Sequence, residues 1–158
     1  MHILVQQAAF DMGAQVNDFT SAQDASGAVV TFTGIVRDLP QGGLQHMLIE
    51  HYPGMTEKAL TEIAHQARTR WALDDVLVIH RYGMLIPGET IMMVATASAH
   101  RKNAFEAADF LMDYLKSRAP FWKKEITSAT ADWVGAKQAD EQALNRWGQR
   151  FVKKLLTS

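Results

Sequence analysis

The stretch TIMMVATASAHRKNAFEAADFLMDYLKSRAP, residues 90–120, changes its hydrophobic period once. Thr90–Ala99 is a mainly apolar run of strand length. From Asn103 the apolar positions recur at helical spacing, with Glu106 three residues on as a capping-box partner. A helix is therefore expected from Asn103 to about Arg118, where Pro120 limits any extension. Upstream, Val76–Tyr82 reads as a second apolar strand, joined to the first through a Pro87–Gly88 turn. Met55, Ala59, Ile63 and Ala67 mark a helix over Met55–Trp71. The alternating, β-branched segment GAVVTFTGIVR (27–37) reads as a strand. DLPQGG (38–43) collects turn formers, so residues 37–45 are expected to be a flexible loop. Leu44–Tyr52 returns as a strand, and the two are expected to form a long hairpin. Met1–Phe10 reads as a first strand and Asn17–Gln23 as a short helix. Lys124–Thr127 and Ala131–Val134 read as short strands. A last helix is expected over 137–158, with a seam of Ala139, Ala143, Trp147, Phe151 and Leu155 despite Gly148. Hairpins beside helices without strict βαβ alternation point to the α+β class.

The bulk properties agree with a single domain over residues 1–158. Apolar residues make up 47% of the chain, which suffices for a core without cross-links. There is no cysteine, which excludes disulfides, a thiolate nucleophile and Cys-held metals. The start of the chain lacks a signal-peptide pattern, and no stretch approaches ~20 apolar residues, so a cytoplasmic protein without a membrane span is expected. Net charge is −1, so nothing draws the whole chain to nucleic acid. Charge is uneven, however. Residues 100–124 hold six Lys/Arg against three acids, a local +3 that suits a small anionic ligand.

Four places could carry chemistry. SAHRKN (98–103) joins a strand to a helix, where free N–H groups, the helix dipole, His100 and Arg101 would seat a phosphate. The competing reading is a plain polar loop. YLKSRAPFWKKE (114–125) sets Lys116 at the margin of the apolar helix face, beside Phe105 and Met112. Arg118 falls on that face, where a cation must cap the last carbonyls or meet an anion. Pro120 turns the chain and would bring Lys123 back toward Lys116. Neighbouring, half-buried ammonium groups lower each other's pKa, which suits a base or nucleophile. Without further information, two solvated lysines and a core Phe-Trp pair is the commoner outcome. Arg37 ends a strand beside a loop, a frequent ligand position and an equally frequent plain surface one. His51 and His80 stand without partners at metal-ligand spacing and read as structural histidines. No HExxH, GxGxxG or P-loop motif occurs.

Taken together, GAVVTFTGIVR (27–37), LIEHYPGMTEKAL (48–60), VIHRYGML (78–85), PGE (87–89), SAHRKNAFEA (98–107) and MDYLKSRAPFWKKE (112–125), with Trp133 beyond, resemble the MoaE-type large, catalytic subunit of molybdopterin synthase. The resemblance runs in order from about Gly27 to Trp147. It implies an α/β-hammerhead fold with an additional antiparallel β subdomain. It implies a homodimer within a heterotetramer, each large subunit binding a small ubiquitin-like sulfur carrier of the MoaD type. The carrier's Gly-Gly tail ends as a thiocarboxylate, and two sulfur transfers convert cyclic pyranopterin monophosphate (precursor Z) to the molybdopterin dithiolene. No cofactor or metal is implied for this step.

By motif, Lys116 matches the catalytic lysine and Lys123 the second active-site lysine. Arg37, His100 and Arg101 match the substrate-anion contacts, and Arg118 belongs to the same motif in a supporting role. Lys137 falls where some members place an arginine that reaches the neighbouring subunit's pocket, and a lysine there loses the bidentate contact. Ile35 replaces a lysine of some relatives. GQRFVKKLLTS after Trp147 has no match, and its amphipathic pattern suggests packing on a partner or on the domain itself. The implied role for Lys116 is proton transfer, with Lys123 positioning the thiocarboxylate. All five of Arg37, His100, Arg101, Lys116 and Lys123 must then meet around one cavity, in the monomer or in a dimer. Schiff-base chemistry at Lys116 is a second enzymatic reading. An anion-binding scaffold for a ubiquitin-like partner, without catalysis of its own, is the alternative to an enzyme.

Overall fold

A computed structural model describes residues 1–135 and 137–148. Two four-stranded sheets form. The first has the order β1-β4-β6-β2, built from β1 (His2–Gln6), β4 (Asp75–Arg81), β6 (Thr90–Ser98) and β2 (Ala28–Ile35). Only β1 and β4 run parallel. The second is wholly antiparallel, with the order β5-β3-β7-β8: β5 (Gly83–Leu85), β3 (His46–His51), β7 (Phe121–Ile126) and β8 (Ala131–Trp133). This is the expected α/β-hammerhead with its added antiparallel sheet.

The apolar runs at β4 and β6 are explained by burial on both faces. Val76, Val78, Met92 and Val94 pack beneath α2 (Met55–Trp71) and α3 (Arg101–Ser117). The alternate residues Leu77, Ile79, Met93, Ala95 and Ala97 pack with Phe19 of α1 (Met12–Ser21). Strand alternation sends successive side chains to opposite faces, so a strand covered twice has no polar register to show. Thr96 is one of the buried polar exceptions, with His80, Arg81 and Ser98, and its hydroxyl donates to the Ala104 carbonyl at 2.8 Å, fastening α3 to the sheet. Leu60, Ile63 and Ala64 of α2 and Phe110 and Leu111 of α3 are almost wholly buried. Each large apolar side chain of this kind contributes about 1.5–3 kcal/mol.

Several expectations need correction. Residues 27–37 and 44–52 do not pair as a hairpin. β2 pairs with β6 in the first sheet, while β3 lies between β5 and β7 in the second. The loop between them closes on itself: Asp38 Oδ1 accepts from the N–H of Leu39 and Leu44 at 2.7 and 2.9 Å, and Gly42 N–H donates to Leu39 O at 2.8 Å. The chain between β4 and β6 also holds β5, too short for any periodicity to reveal. α3 begins at Arg101 rather than Asn103, with His100 as its N-cap and no side-chain cap. Glu106 is not a capping partner. Its carboxylate accepts from Trp71 Nε1 at 2.9 Å, and Asn103 donates to Trp71 O at 3.0 Å. A long-range bond to α2 displaced the local one.

The last helix, α4 (Gln138–Asn145), is shorter than expected. Gly148 has φ +89, a conformation that suits the end of a helix rather than its interior. Leu144 is the buried residue of α4, not Ala139 or Ala143. Phe151, Leu155 and the rest of 149–158 lie outside the described residues. α4 is clasped to α3 from its far end. Arg146 reaches Asp109 and Asp113, each at 2.7 Å, and Trp147 Nε1 donates to Asp113 at 2.6 Å. Trp147 also stands edge-on to Trp71 and Phe110.

Candidate active site

The cations expected to bind an anion fall at the two ends of α3. At its start, Gly27, Ala99, His100, Arg101 and Lys102 line an open pocket of about 470 Å³. His100 and Arg101 are exposed there. Gly27 permits the geometry: its N–H donates to Ser98 O at 3.0 Å, and a Cβ on it would lie 2.5 Å from Ala99 O. The free N–H groups of the first helical turn add a positive end to the pocket.

At the other end, Ser117 closes the helix, Pro120 redirects the chain, and β7 runs back beside β3. Phe121, Lys123 and Glu125 share one face of β7, and Trp122 and Lys124 the other. The expected Phe-Trp pair is therefore split. Phe121 turns inward and Trp122 is 50% exposed. Lys123 comes back to Lys116 as expected. Its pKa is held below the ordinary lysine value, first by burial and then by the nearby charges of Lys116 and Lys137, with Asp140 opposing. The clasped α4 supplies the last two residues. Lys137, at the position where some relatives place an arginine reaching the neighbouring subunit, bears on Lys123 of its own chain. Asp140 was missed by sequence reasoning. The only signal was its place three residues after Lys137, one helical turn on.

Arg118 meets both demands of a cation on an apolar face. It donates to the Ser117 carbonyl at 3.2 Å and pairs with Glu141 at 2.5 Å. It therefore latches α4 rather than facing the lysines as a free cation. Arg37 is exposed, two residues past β2. Its neighbour Val36 is anchored to the Pro87–Gly88 turn through bonds to Glu89 O and from Gly88 N. Leu39 then leans on the β7–β8 hairpin, forming a cleft of about 410 Å³ with Glu125, Asp132 and Val134 among its walls. Arg37 thus lies on the side of the chain that leads to β7.

Within one chain the five expected residues do not share a cavity. Arg101 and Lys116 are fifteen residues apart on one straight helix, a separation of about 22 Å along its axis. Among the described residues no three His, Asp or Glu side chains gather as a metal site would need. No described helix is long and apolar enough to cross a membrane.

An α+β chain with a largely buried lysine among further cations at one helix end, and an exposed His-Arg pair at the other, has the features of an enzyme that handles anionic substrates. Comparison with known proteins narrows this. The family described as MoaE protein matches residues 5–118, and the chain belongs to it. It is 63% identical over 147 residues to the molybdopterin synthase catalytic subunit of Cereibacter sphaeroides, covering 93% of this chain and 100% of that one. Its fold is similar to that of the molybdopterin biosynthesis MoaE protein from Burkholderia ambifaria, with TM-score 0.79 and 47% identity, covering 94% and 99% of the two chains. It is also similar to molybdopterin synthase from Staphylococcus aureus, with TM-score 0.77 and 31% identity over 84% and 96%.

Proposed function

We propose that this chain is the catalytic subunit of molybdopterin synthase, a sulfurtransferase of molybdenum cofactor biosynthesis. It moves sulfur from the C-terminal thiocarboxylate of a small ubiquitin-like carrier to cyclic pyranopterin monophosphate, giving the molybdopterin dithiolene. One observation carries this reading: Lys116, Lys123 and Lys137 converge at one end of α3 on a chain whose net charge is −1. A thiocarboxylate and a cyclic phosphate are both anions, and bringing them together requires such a concentration of cations.

The 22 Å between the two ends of α3 exceeds the reach of one pterin phosphate. The reading therefore requires two copies of the chain. His100 and Arg101 of one copy grip the phosphate, and Arg37, at the opposite end of β2 from their pocket, comes with the lysines of the other copy. Lys116 and Lys123 of the other copy meet the thiocarboxylate and the reacting carbon. This accords with a homodimer inside a heterotetramer that holds two carriers, in the cytoplasm.

Each transfer forms a carbon–sulfur bond on the pterin side chain. Water then cleaves the acyl–sulfur bond, and the carrier leaves with an ordinary carboxylate. A proton must be accepted along the way and another given to the departing oxygen. Lys123, held toward its neutral form, fits the acceptor. Lys116, exposed beside it, fits the donor and the contact to the incoming anion. The test is direct: combine the protein with thiocarboxylated carrier and precursor Z, and look for dithiolene product. No product from a competent carrier rejects the reading.

A further inference from the structure

His80 and His51 read as structural histidines in the sequence, and the reaction above leaves them unused. Yet both lie beneath the β7 lysine. His80 is 3% exposed, near the end of β4, and its ring stacks on Phe121 with centroids 3.7 Å apart and planes within 15°. Its Nδ1 lies 2.8 Å from Arg81 O. A carbonyl can only accept, so Nδ1 carries the proton. His51 pairs with Phe121 across the β3–β7 ladder and packs against Tyr82 at 4.3 Å. The His51 Nδ1 is buried and has no hydrogen-bond partner. Lys123 follows Phe121 by two residues and so shares this inward face.

We propose that His80 is a positioning residue for Lys123: with Phe121 and His51 it forms a dry aromatic floor that keeps water from reaching the lysine from below. The proposal rests on the reading of Lys123 as proton acceptor.

Burial is the largest cause of the lowered lysine pKa, ahead of Lys116 and Lys137, with Asp140 acting in the opposite direction. Those three charges approach from α3 and the start of α4, Glu125 lies along β7, and His80 and His51 lie below with Phe121 and Tyr82. The His80 ring must itself stay neutral, since a charged imidazole there would draw water into the floor. Burial does this first, holding the His80 pKa at about 3. Its bond to the Arg81 carbonyl works the other way, and the charges of Lys123 and His51 add to the lowering. Phenylalanine would give the same flat surface but would leave the Arg81 carbonyl without its donor, which accounts for an imidazole here.

The test compares wild type with His80→Ala, His80→Gln and His80→Phe in the full-length protein. Lys123 reactivity toward acetic anhydride is followed against pH by peptide mass spectrometry. The pH profile of dithiolene formation is measured in parallel. His80→Ala or His80→Gln admits water, and the Lys123 labelling midpoint moves up by about one pH unit toward ordinary lysine. The basic form is then scarcer at a given pH, so the rising limb of turnover moves to higher pH with it. His80→Phe keeps the wild-type midpoint although it melts lower. Should the alanine variant fail to fold, the glutamine and phenylalanine pair decides alone. An unchanged midpoint in a folded Ala or Gln variant, or an equal shift in the Phe variant, overturns the proposal. A labelling shift without any sulfur transfer in wild type would uphold the floor and sink the functional reading instead.

Discussion

The two ends of α3 carry the same kinds of cation in opposite settings. At the N-terminal end His100 and Arg101 are exposed, and their pocket is open. At the C-terminal end Lys123 is largely buried near Lys116, Lys137 and Asp140, with its pKa lowered. The open end can only bind, because water screens its charges. The enclosed end can tune protonation, because burial makes each neighbouring charge count. On the proposed reading, one helix presents an anion seat and a reaction site that a single chain cannot use on the same substrate.

The largest effect should come from the enclosed end. Lys116→Ala is expected to lower dithiolene formation by about 10²-fold or more while carrier binding, measured by calorimetry, persists. Turnover at the wild-type rate would return the chain to the status of a scaffold. Arg101→Ala, at the open end, should act mainly on binding, raising KM for precursor Z by about tenfold with a smaller change in kcat.

Mixing the two variants sharpens the contrast further. If each site draws on two copies, a mixed dimer holds one doubly damaged site and one intact site. Random exchange should then restore about a quarter of wild-type activity. No recovery after verified subunit exchange would place both ends in one chain's site and break the comparison.

Smaller effects concern stability. Gly27→Ala pushes a Cβ against the Ala99 carbonyl, where 2.5 Å is available. A loss of about 1–3 kcal/mol in denaturant unfolding is expected, together with weaker phosphate binding at the open end. His80 gives the enclosed end an acid signature. Its folded pKa, about 3, lies below the ordinary 6.5, so the unfolded chain takes up a proton first as pH falls. Its contribution is therefore fully present above pH 6.5 and is lost progressively toward the folded value. His80→Phe should flatten that part of the stability–pH curve; an unaltered slope would show that another group sets it. Arg146→Ala should cost least, within about 1 kcal/mol, since its side chain is half exposed where it meets Asp109 and Asp113.

Legibility followed the range of the forces involved. Met55–Trp71 was read with its observed limits, because a 17-residue helix repeats its apolar period several times. β4 and β6 were legible from their mainly apolar runs. The 27–37 and 44–52 strands were found, but their partners were not, because strand pairing depends on what the rest of the chain supplies. Glu106 looked like a cap and became a partner of Trp71 for the same reason.

The order of residues alone established an α+β chain, a basic segment over 100–124 and, through its motifs, the family. Local chemistry suffices for these, since period, turn residues and charge act within a few positions. Tertiary structure decided that His100 and Lys116 stand at opposite ends of a rigid rod, that Asp140 reaches the lysines, and that His80 lies beneath them. Those facts arise from elements distant in sequence excluding water together, and no local pattern encodes where that exclusion occurs.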